Sequence, residues 1–270
     1  MSWNQEFVRA FLPCPDPGWG RLATDSQKGC WACGYWRGAR QALGELHDTG
    51  AMTKTLKIDF VSDVSCPWCA VGLASLQTAL ERVGPELQVE LNFQPFELNP
   101  QMVAGGEDTT EHLSRKYGST PEQAAATREA IRARGAELGF VFNLDKRSRI
   151  YNTFDAHRLL HWAHLEGQGR QLALKKALLK AYFTDGEDPS NHTVLVRLAG
   201  EVGLDSERAK AVLTSDAYAA DVREQEQYYQ QQGIHSVPAV VINNSHLISG
   251  GQPPEVFEKA LRQLAAQQGA

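Results

Sequence analysis

Hydrophobic and polar positions alternate along this chain in a pattern that predicts strands near both ends of a globular region and helices between them. Residues 56–61 form a nearly continuous apolar run, which is typical of a largely buried strand. Residues 71–83 carry apolar side chains at helical intervals, and Gly84-Pro85 ends that helix. Residues 87–93 alternate again and predict a second strand. Because a helical crossover joins them, the two strands are expected to be parallel.

Helical periodicity fills the middle of the chain, and strand character returns after it. The helical segments lie at residues 107–117, 121–138, 152–166, 170–183, 190–202, 205–213 and 216–231. Residues 238–243 then predict a strand, which a turn pairs with residues 246–248 in a hairpin. A last helix begins at Pro253-Pro254. The fold class is therefore predicted to be α/β, with the order β-α-β, an all-helical subdomain inserted at about residues 101–232, and then β-β-α.

The first fifty-one residues differ in composition from the rest, with early prolines and glycines and a segment rich in tryptophan, glycine and arginine. We therefore predict an N-terminal extension at residues 1–51, whose structure the pattern does not define, followed by the main domain at residues 52–270. Met52 opens the globular region and resembles a natural start. An upstream extension and a misassigned start codon are both open as explanations.

Composition and charge narrow the function classes. The 270-residue chain is 42% hydrophobic and 22% charged, which is ordinary for a globular protein, and its formal net charge is −5. A mildly acidic chain has no electrostatic attraction to nucleic acid or to an anionic membrane. No apolar run is long enough to span a bilayer, and the amino terminus lacks the features of a secretory signal. We therefore expect a cytoplasmic protein with neither a nucleic-acid nor a membrane partner, and the sequence leaves its oligomeric state open.

Candidate chemistry is concentrated at Cys66-Pro67-Trp68-Cys69, between the first strand and the first helix. A thiolate is the species that attacks a disulfide, and the amino terminus of a helix stabilises it through free N–H groups and the helix dipole. Cys66 is therefore expected to be the exposed attacking thiol, and Cys69, one turn further along, the inner thiol that resolves the mixed disulfide. Pro67 suits the first helical turn, and Trp68 is expected to lie at the surface and shape the site.

The same Cys-x-x-Cys spacing also occurs in zinc sites, which need two further ligands. Residues 52–270 contain no other cysteine, so the position of the motif at a strand–helix junction favours redox chemistry. A second Cys-x-x-Cys, at Cys30 and Cys33, lies in the extension, where Cys14 and His47 could complete a zinc site. Free thiols and a second redox pair are the favoured alternatives there.

A proline far along the chain supports the redox interpretation. Val237 and Pro238 stand at the start of a predicted strand, a position that tolerates proline. A cis Val237–Pro238 bond would present the backbone groups of Val237 beside Cys66, where a substrate chain could pair with them as an added strand. An ordinary trans proline is the alternative, and the combination with the cysteine motif favours cis.

These two motifs and the long helical insertion between them resemble the DsbA-like thioredoxin superfamily. The segment 63–69, and Ser236-Val237-Pro238 before a strand, carry the resemblance, which covers the chain after the extension and is nearest to the FrnE-like cytoplasmic branch. It implies a thioredoxin-like fold and a dithiol–disulfide oxidoreductase or isomerase, acting on protein or small-molecule thiols and disulfides without a bound cofactor. By the same resemblance Cys66 attacks, Cys69 resolves and Pro238 is the cis-proline.

Two departures from the family's pattern matter. Some FrnE-like proteins carry a further cysteine pair near the carboxyl end, whereas this chain has no cysteine after Cys69, so no electron relay through such a pair is expected. Thioredoxins also hold a buried acid on the strand before the motif. Asp59 and Asp63 are the candidates here, and we expect Asp63 to be a capping residue.

Two other function classes stay open. A sister branch contains 2-hydroxychromene-2-carboxylate isomerases and kappa-class glutathione transferases, which share the insertion and use glutathione. The presence of both Cys66 and Cys69 argues against that branch, but a glutathione-linked isomerase or transferase, with glutathione as co-substrate, is the leading alternative. The second alternative is a non-catalytic interaction protein with a thioredoxin fold.

Two weaker signals lie in the predicted insertion. His157, His161 and His164 fall on one helix face, and we favour a polar face or the wall of a cleft over a metal site. The basic run at residues 146–149 is interpreted as a solvated loop rather than as an anion site.

Overall fold

Strands and helices follow one another in the order β-α-β, then a mainly helical insertion, then β-β-α, in the computed structural model, which describes residues 55–85, 87–167 and 169–267. The strands are β1 Thr55–Ser62, β2 Gln88–Pro95, β3 Glu107–Asp108, β4 Arg149–Ile150, β5 Ala239–Ile242 and β6 His246–Ser249. The helices are α1 Pro67–Val83, α2 Thr109–Tyr117, α3 Pro121–Glu137, α4 Phe154–Leu165, α5 Arg170–Lys180, α6 His192–Glu201, α7 Ser206–Leu213, α8 Ala219–Gln231 and α9 Pro254–Gln267. A π-helical turn, Ala181–Asp185, continues α5.

The central sheet has the strand order β2-β1-β5-β6. Strands β1 and β2 run parallel, as expected for a helical crossover, whereas β5 is antiparallel to β1 and pairs with β6 in a hairpin. Asn243 and Asn244 form the hairpin turn with φ values of 51° and 54°, a left-handed conformation that asparagine tolerates. This arrangement places the start of β5 beside the end of β1, where α1 begins.

Side chains of β1 alternate between two cores. Ile58 and Phe60 belong to a core with α1 and α9, whereas Val61 packs on the other side with Tyr229 of α8. Both faces of β1 are therefore covered, which explains why its sequence is nearly continuously apolar.

The insertion between β2 and β5 has a core of its own, centred on Trp162, Leu174 and Leu178. It also covers the outer edge of β2, because the Gln171 side chain accepts a hydrogen bond from the Phe93 N–H and donates one to the Phe93 carbonyl. An amide side chain thereby replaces the missing neighbouring strand at this edge.

The structure confirms the predicted α/β fold class, the order of strands and helices along the chain, and the helical segments. It adds two features that the sequence pattern did not predict, the π-helical turn after α5 and a two-residue ribbon in which Glu107 pairs with Ile150 and Asp108 with Arg149. The helix predicted from residue 107 starts at Thr109 because the Asp108 carboxylate accepts hydrogen bonds from the first helical N–H groups. The predicted extension at residues 1–51 lies outside the described residues. Among the described helices, none has the length and apolarity that crossing a membrane requires.

Candidate active site

The first turn of α1 holds the cysteine motif. Cys66 is the N-cap residue in an extended conformation, with φ −91° and ψ 113°, and Pro67 occupies the first helical turn, where a missing N–H costs nothing. The Cys69 N–H donates to the Cys66 carbonyl at 3.1 Å, which fixes the two cysteines one turn apart. Cys66 therefore stands at the positive end of the helix, as the sequence predicts.

The start of β5 meets this helix turn at Val237. The Val237–Pro238 peptide bond is cis, in agreement with the prediction. The Cys66 thiol donates a hydrogen bond to the Val237 carbonyl, with an Sγ–O distance of 3.7 Å. Two motifs that are 171 residues apart in the chain are thus in contact.

The prediction that Cys66 is exposed is wrong. Its side chain is buried, with 4% of the residue exposed, and Cys69 is fully buried. The reason is that residues of the insertion and the segment before β5 form walls above the sulfur. Trp68 does lie at the surface, with 37% exposed, in agreement with the prediction.

Cys66 opens instead into a cavity of about 700 Å³ that lies between the start of α1, the segment before β5, and helices α2 and α3. Its lining is mostly apolar, with Phe96, Leu113 and Ile131 in the walls. A cavity of this size accommodates a small organic molecule or a few residues of an extended peptide. The cavity therefore gives access to the sulfur of Cys66.

The two thiols differ in their surroundings. Burial raises the pKa of the Cys69 thiol, and the neighbouring Cys66 raises it further, whereas the Lys175 ammonium acts in the opposite direction. Lys175 belongs to α5 and is fully buried, and its Nζ has no hydrogen-bond partner among the described residues. Burial lowers the pKa of Lys175, and the charges of Cys69, Asp63 and Cys66 raise it. A buried cation thus lies within electrostatic reach of the redox pair.

Asp63 anchors the loop between β1 and α1. Its carboxylate accepts hydrogen bonds from the Ser65 N–H and hydroxyl, both at 3.0 Å, and from the Leu98 N–H at 2.7 Å. Burial raises the pKa of this carboxyl, but the His157 imidazole and the two N–H donors outweigh burial and lower the pKa to about 2. The expectation that Asp63 is a capping residue is wrong for α1. Cys66 occupies the N-cap position of that helix, and the Asp63 carboxylate joins two loops instead.

The other candidate acid, Asp59, lies away from the cysteines. Its side chain is buried on β1 and accepts a hydrogen bond from Gln94 Nε2 at 2.7 Å, with Lys57 Nζ at 3.2 Å. Side chains alternate along a strand, so Asp59 faces the side of Tyr229, while Phe60 faces α1. Of the two acids, only Asp63 is close to the redox pair.

The three histidines of α4 lie in different surroundings. His157 is buried, with Nε2 at 3.7 Å from Asp63 Oδ1, whereas His161 lies near Gln225 and His164 is exposed. Within the described ranges, no three His, Cys, Asp or Glu side chains are placed to hold a metal ion together. The zinc candidates Cys14, Cys30, Cys33 and His47 lie outside the described residues.

Sequence reasoning missed three charged residues around the cysteines. Lys175 lies on an amphipathic helix among other lysines, and nothing in the local pattern distinguishes a buried lysine from an exposed one. Arg128 and Arg147 line the cavity beside Cys66. The interpretation of residues 146–149 as a solvated loop is wrong for Arg147, which is half-buried with its guanidinium 5.3 Å from the ring centre of Tyr182.

Comparison with known proteins connects this geometry to a family. The DsbA-like thioredoxin domain matches residues 57–262. The crystal structure of a probable DsbA oxidoreductase from Streptomyces coelicolor is similar, with 36% sequence identity and a TM-score of 0.69 over 77% of this chain and 89% of that chain.

Two further proteins extend the comparison. The uncharacterized protein YwbO of Bacillus subtilis is 29% identical over 209 residues, which are 77% of this chain and 96% of YwbO. The cytosolic disulfide reductase DsbM of Pseudomonas aeruginosa, solved with GSH, is 17% identical and shares the fold, with a TM-score of 0.53 over 77% of this chain and 98% of that chain. Since the family match covers most of the chain and both of its motifs, the protein belongs to the family of DsbA-like thioredoxin domains.

Proposed function

We propose that the protein is a thiol–disulfide oxidoreductase that acts through Cys66 and Cys69. The observation that carries the proposal is the contact of Cys66 Sγ, at the amino terminus of α1, with the Val237 carbonyl at 3.7 Å, with Cys69 buried one turn behind. The finer assignment to the FrnE-like cytoplasmic branch is part of the proposal.

In the proposed reaction the Cys66 thiolate attacks one sulfur of a substrate disulfide. A bond forms between Cys66 Sγ and that sulfur, the substrate disulfide breaks, and the departing sulfur takes up a proton as a thiol. The Cys69 thiol then loses its proton and attacks Cys66 Sγ, which releases the second substrate thiol and leaves a Cys66–Cys69 disulfide. Two electrons pass from the protein dithiol to the substrate, and the reverse sequence oxidises a substrate dithiol.

In this proposal Val237 positions the substrate. Its backbone lies at the rim of the cavity beside Cys66, where an extended substrate can pair with it as an added strand. Trp68 contributes an exposed ring on the other side of the sulfur. The substrates are protein or small-molecule thiols and disulfides.

Reduction of insulin disulfides by dithiothreitol tests the proposal. The wild-type chain is expected to accelerate the reaction, and the Cys66→Ser, Cys69→Ser double variant is expected to fall to the uncatalysed rate. Equal rates for the two proteins would favour the non-catalytic alternative. Because Cys14, Cys30 and Cys33 are present in both, they cancel in this comparison.

The glutathione-linked alternative is separated by the Cys66→Ser variant. A glutathione transferase or isomerase that uses a hydroxyl in place of the thiol should retain glutathione conjugation or isomerisation in this variant. The proposed oxidoreductase should lose disulfide exchange and gain neither. Persistence of conjugation in Cys66→Ser would contradict the redox assignment.

A further inference from the structure

The lining of the cavity beside Cys66 contains more cationic than anionic side chains. Lys116, Arg128 and Arg147 all line it. Lys116 Nζ donates only to neutral acceptors, the Leu98 carbonyl at 2.7 Å and Asn99 Oδ1 at 2.8 Å. Glu97, the acid in the same lining, is already paired with Arg223 of α8. The walls therefore favour an anion.

The two arginines are unusual among those of the described chain. Nine of its thirteen arginines form an ion pair with a carboxylate, including Arg132 and Arg134 on the same helix as Arg128. Arg128 and Arg147 form none with the described residues, although both are half-buried. A half-buried guanidinium without a carboxylate has unused donors that suit a carboxylate ligand.

Arg147 is also held in place. Its guanidinium lies 5.3 Å from the ring centre of Tyr182 and 5.4 Å from that of Phe183, both buried. Cation–π contact with two buried rings restricts the guanidinium and limits the entropy lost when a ligand binds. The donor group is therefore organised before any ligand arrives.

We propose that Arg128 and Arg147 form a carboxylate-binding subsite, and that the cavity takes a small-molecule disulfide with an apolar body and a carboxylate. The mostly apolar lining accepts the body, and the two arginines orient the carboxylate so that a sulfur reaches Cys66. The inference rests on the proposed oxidoreductase function and specifies its substrate class.

The reaction at this subsite balances as two thiol–disulfide exchanges. Cys66 bonds to one ligand sulfur as the ligand disulfide breaks, and the first carboxylate-bearing thiol leaves with a proton. Cys69 then bonds to Cys66 and releases the second thiol, so the protein dithiol is oxidised and the ligand disulfide is reduced.

The test compares two disulfides of the same skeleton, 3,3′-dithiodipropionate and its neutral diamide, with the reduced full-length chain. Formation of the Cys66–Cys69 disulfide is followed by acid quench, alkylation and peptide mass spectrometry. Each rate constant is divided by that of the same disulfide with free dithiothreitol, which removes the difference in intrinsic reactivity. The wild type is expected to prefer the dianion. Arg128→Gln and Arg147→Gln should each lower the dianion rate about tenfold and leave the diamide rate unchanged.

Arg132→Gln is the matched control, because Arg132 lies on α3, pairs with Asp145 and does not line the cavity. It should change neither rate. An undiminished dianion rate in Arg128→Gln, or an equal fall for both disulfides, would overturn the subsite. If the Arg147→Gln variant does not fold, the Arg128→Gln variant alone tests the subsite, because Arg128 lies on the largely exposed helix α3. Failure of the wild type to react with either disulfide would instead refute the oxidoreductase function.

Discussion

Single buried polar side chains hold the redox loop in place, and Asp63 makes the most contacts among them. Its carboxylate joins the loop before α1 to the segment after β2, through Ser65 on one side and Leu98 on the other. Both segments belong to the wall or floor of the cavity beside Cys66. Loss of the negative charge at Asp63 should therefore loosen the site as well as the fold.

Asp63 should make the protein sensitive to acid. Its folded-state pKa of about 2 lies below the usual aspartate pKa of 3.8, so the unfolded chain binds more protons between these values. The stabilisation is complete above about pH 4, is lost as the pH falls toward 2, and amounts to about 2 kcal/mol. Asp63→Asn is expected to lower the free energy of unfolding by about that amount at neutral pH and to flatten its decrease between pH 4 and pH 2.

Urea unfolding at a series of pH values measures both effects. Asp145→Asn is the control, because the Asp145 side chain is 85% exposed and pairs only at the surface. It should leave the acid part of the profile unchanged. A parallel profile for Asp63→Asn and wild type would show that the Asp63 carboxylate is not preferentially stabilised in the folded state.

For single residues, the sequence predicts which side chains belong to the site better than it predicts how deeply they are buried. Cys66, Cys69 and Pro238 were predicted because each stands at a recognisable junction of strand and helix or of loop and strand. The burial of Lys175 was not predicted, because it depends on how α5 packs against β2. The local sequence pattern does not indicate that contact. The exposure of Cys66 was predicted wrongly for the same reason.

Among the secondary-structure elements, α1 and the start of β5 must approach closely to form the site. Gly72 allows this, since a Cβ at that position would lie 3.0 Å from Pro238 Cγ and 3.5 Å from the Gly251 Cα. Even a methyl group at this position would press on the proline ring, and a larger side chain would press harder. The absence of a side chain at Gly72 thus lets α1 pack closely against Pro238.

Gly72→Val is expected to push the two elements apart. Although valine is a better helix former than glycine, overpacking should lower the free energy of unfolding by about 1–3 kcal/mol. Insulin reduction should fall as well, because the shift separates Cys66 from the Val237 carbonyl. Ala74→Val, two residues along the same helix, is the matched control, since Ala74 lines an open groove where valine finds room. Equal stability losses for the two variants would contradict this role of Gly72.

Most elements were predictable because their period is strong and their ends carry glycine, proline or capping residues. The β3–β4 ribbon was not, since two residues per strand contain no period. The π-helical turn after α5 was also missed, because the apolar pattern of a helix continues through it. Short features that depend on contacts across the fold leave no local pattern to read.

On the scale of the whole molecule, the site combines two parts of different origin. The thioredoxin-type core supplies Cys66, Cys69 and the Val237 carbonyl, whereas the helical insertion supplies the cavity wall and Lys175. The insertion therefore acts on the chemistry as well as on access, because it places a buried cation near the two sulfurs. A cation stabilises the thiolate, which exists only in the reduced protein.

This arrangement predicts that the reduced protein is more stable than the oxidised one. Lys175 attracts a sulfur only while it is a thiolate, so oxidation removes this attraction, and the disulfide closes a loop of only four residues, which gains less from chain entropy than a long loop does. The melting temperature in calorimetry should be at least about 2 °C higher for the dithiol than for the disulfide form, which corresponds to about 1 kcal/mol for a domain of this size.

Lys175→Met identifies the cause of that difference. The variant should reduce the difference between the melting temperatures of the dithiol and disulfide forms. The Cys66→Ser, Cys69→Ser variant should have the same melting temperature under reducing and oxidising conditions. A higher melting temperature for the disulfide form of the wild type would contradict the role of Lys175.

The predicted order of stability also bears on the direction of electron flow. A protein that is more stable in its dithiol form has a higher reduction potential, so the Cys66–Cys69 disulfide should act as an oxidant of substrate thiols. The insertion would then set the direction of electron flow.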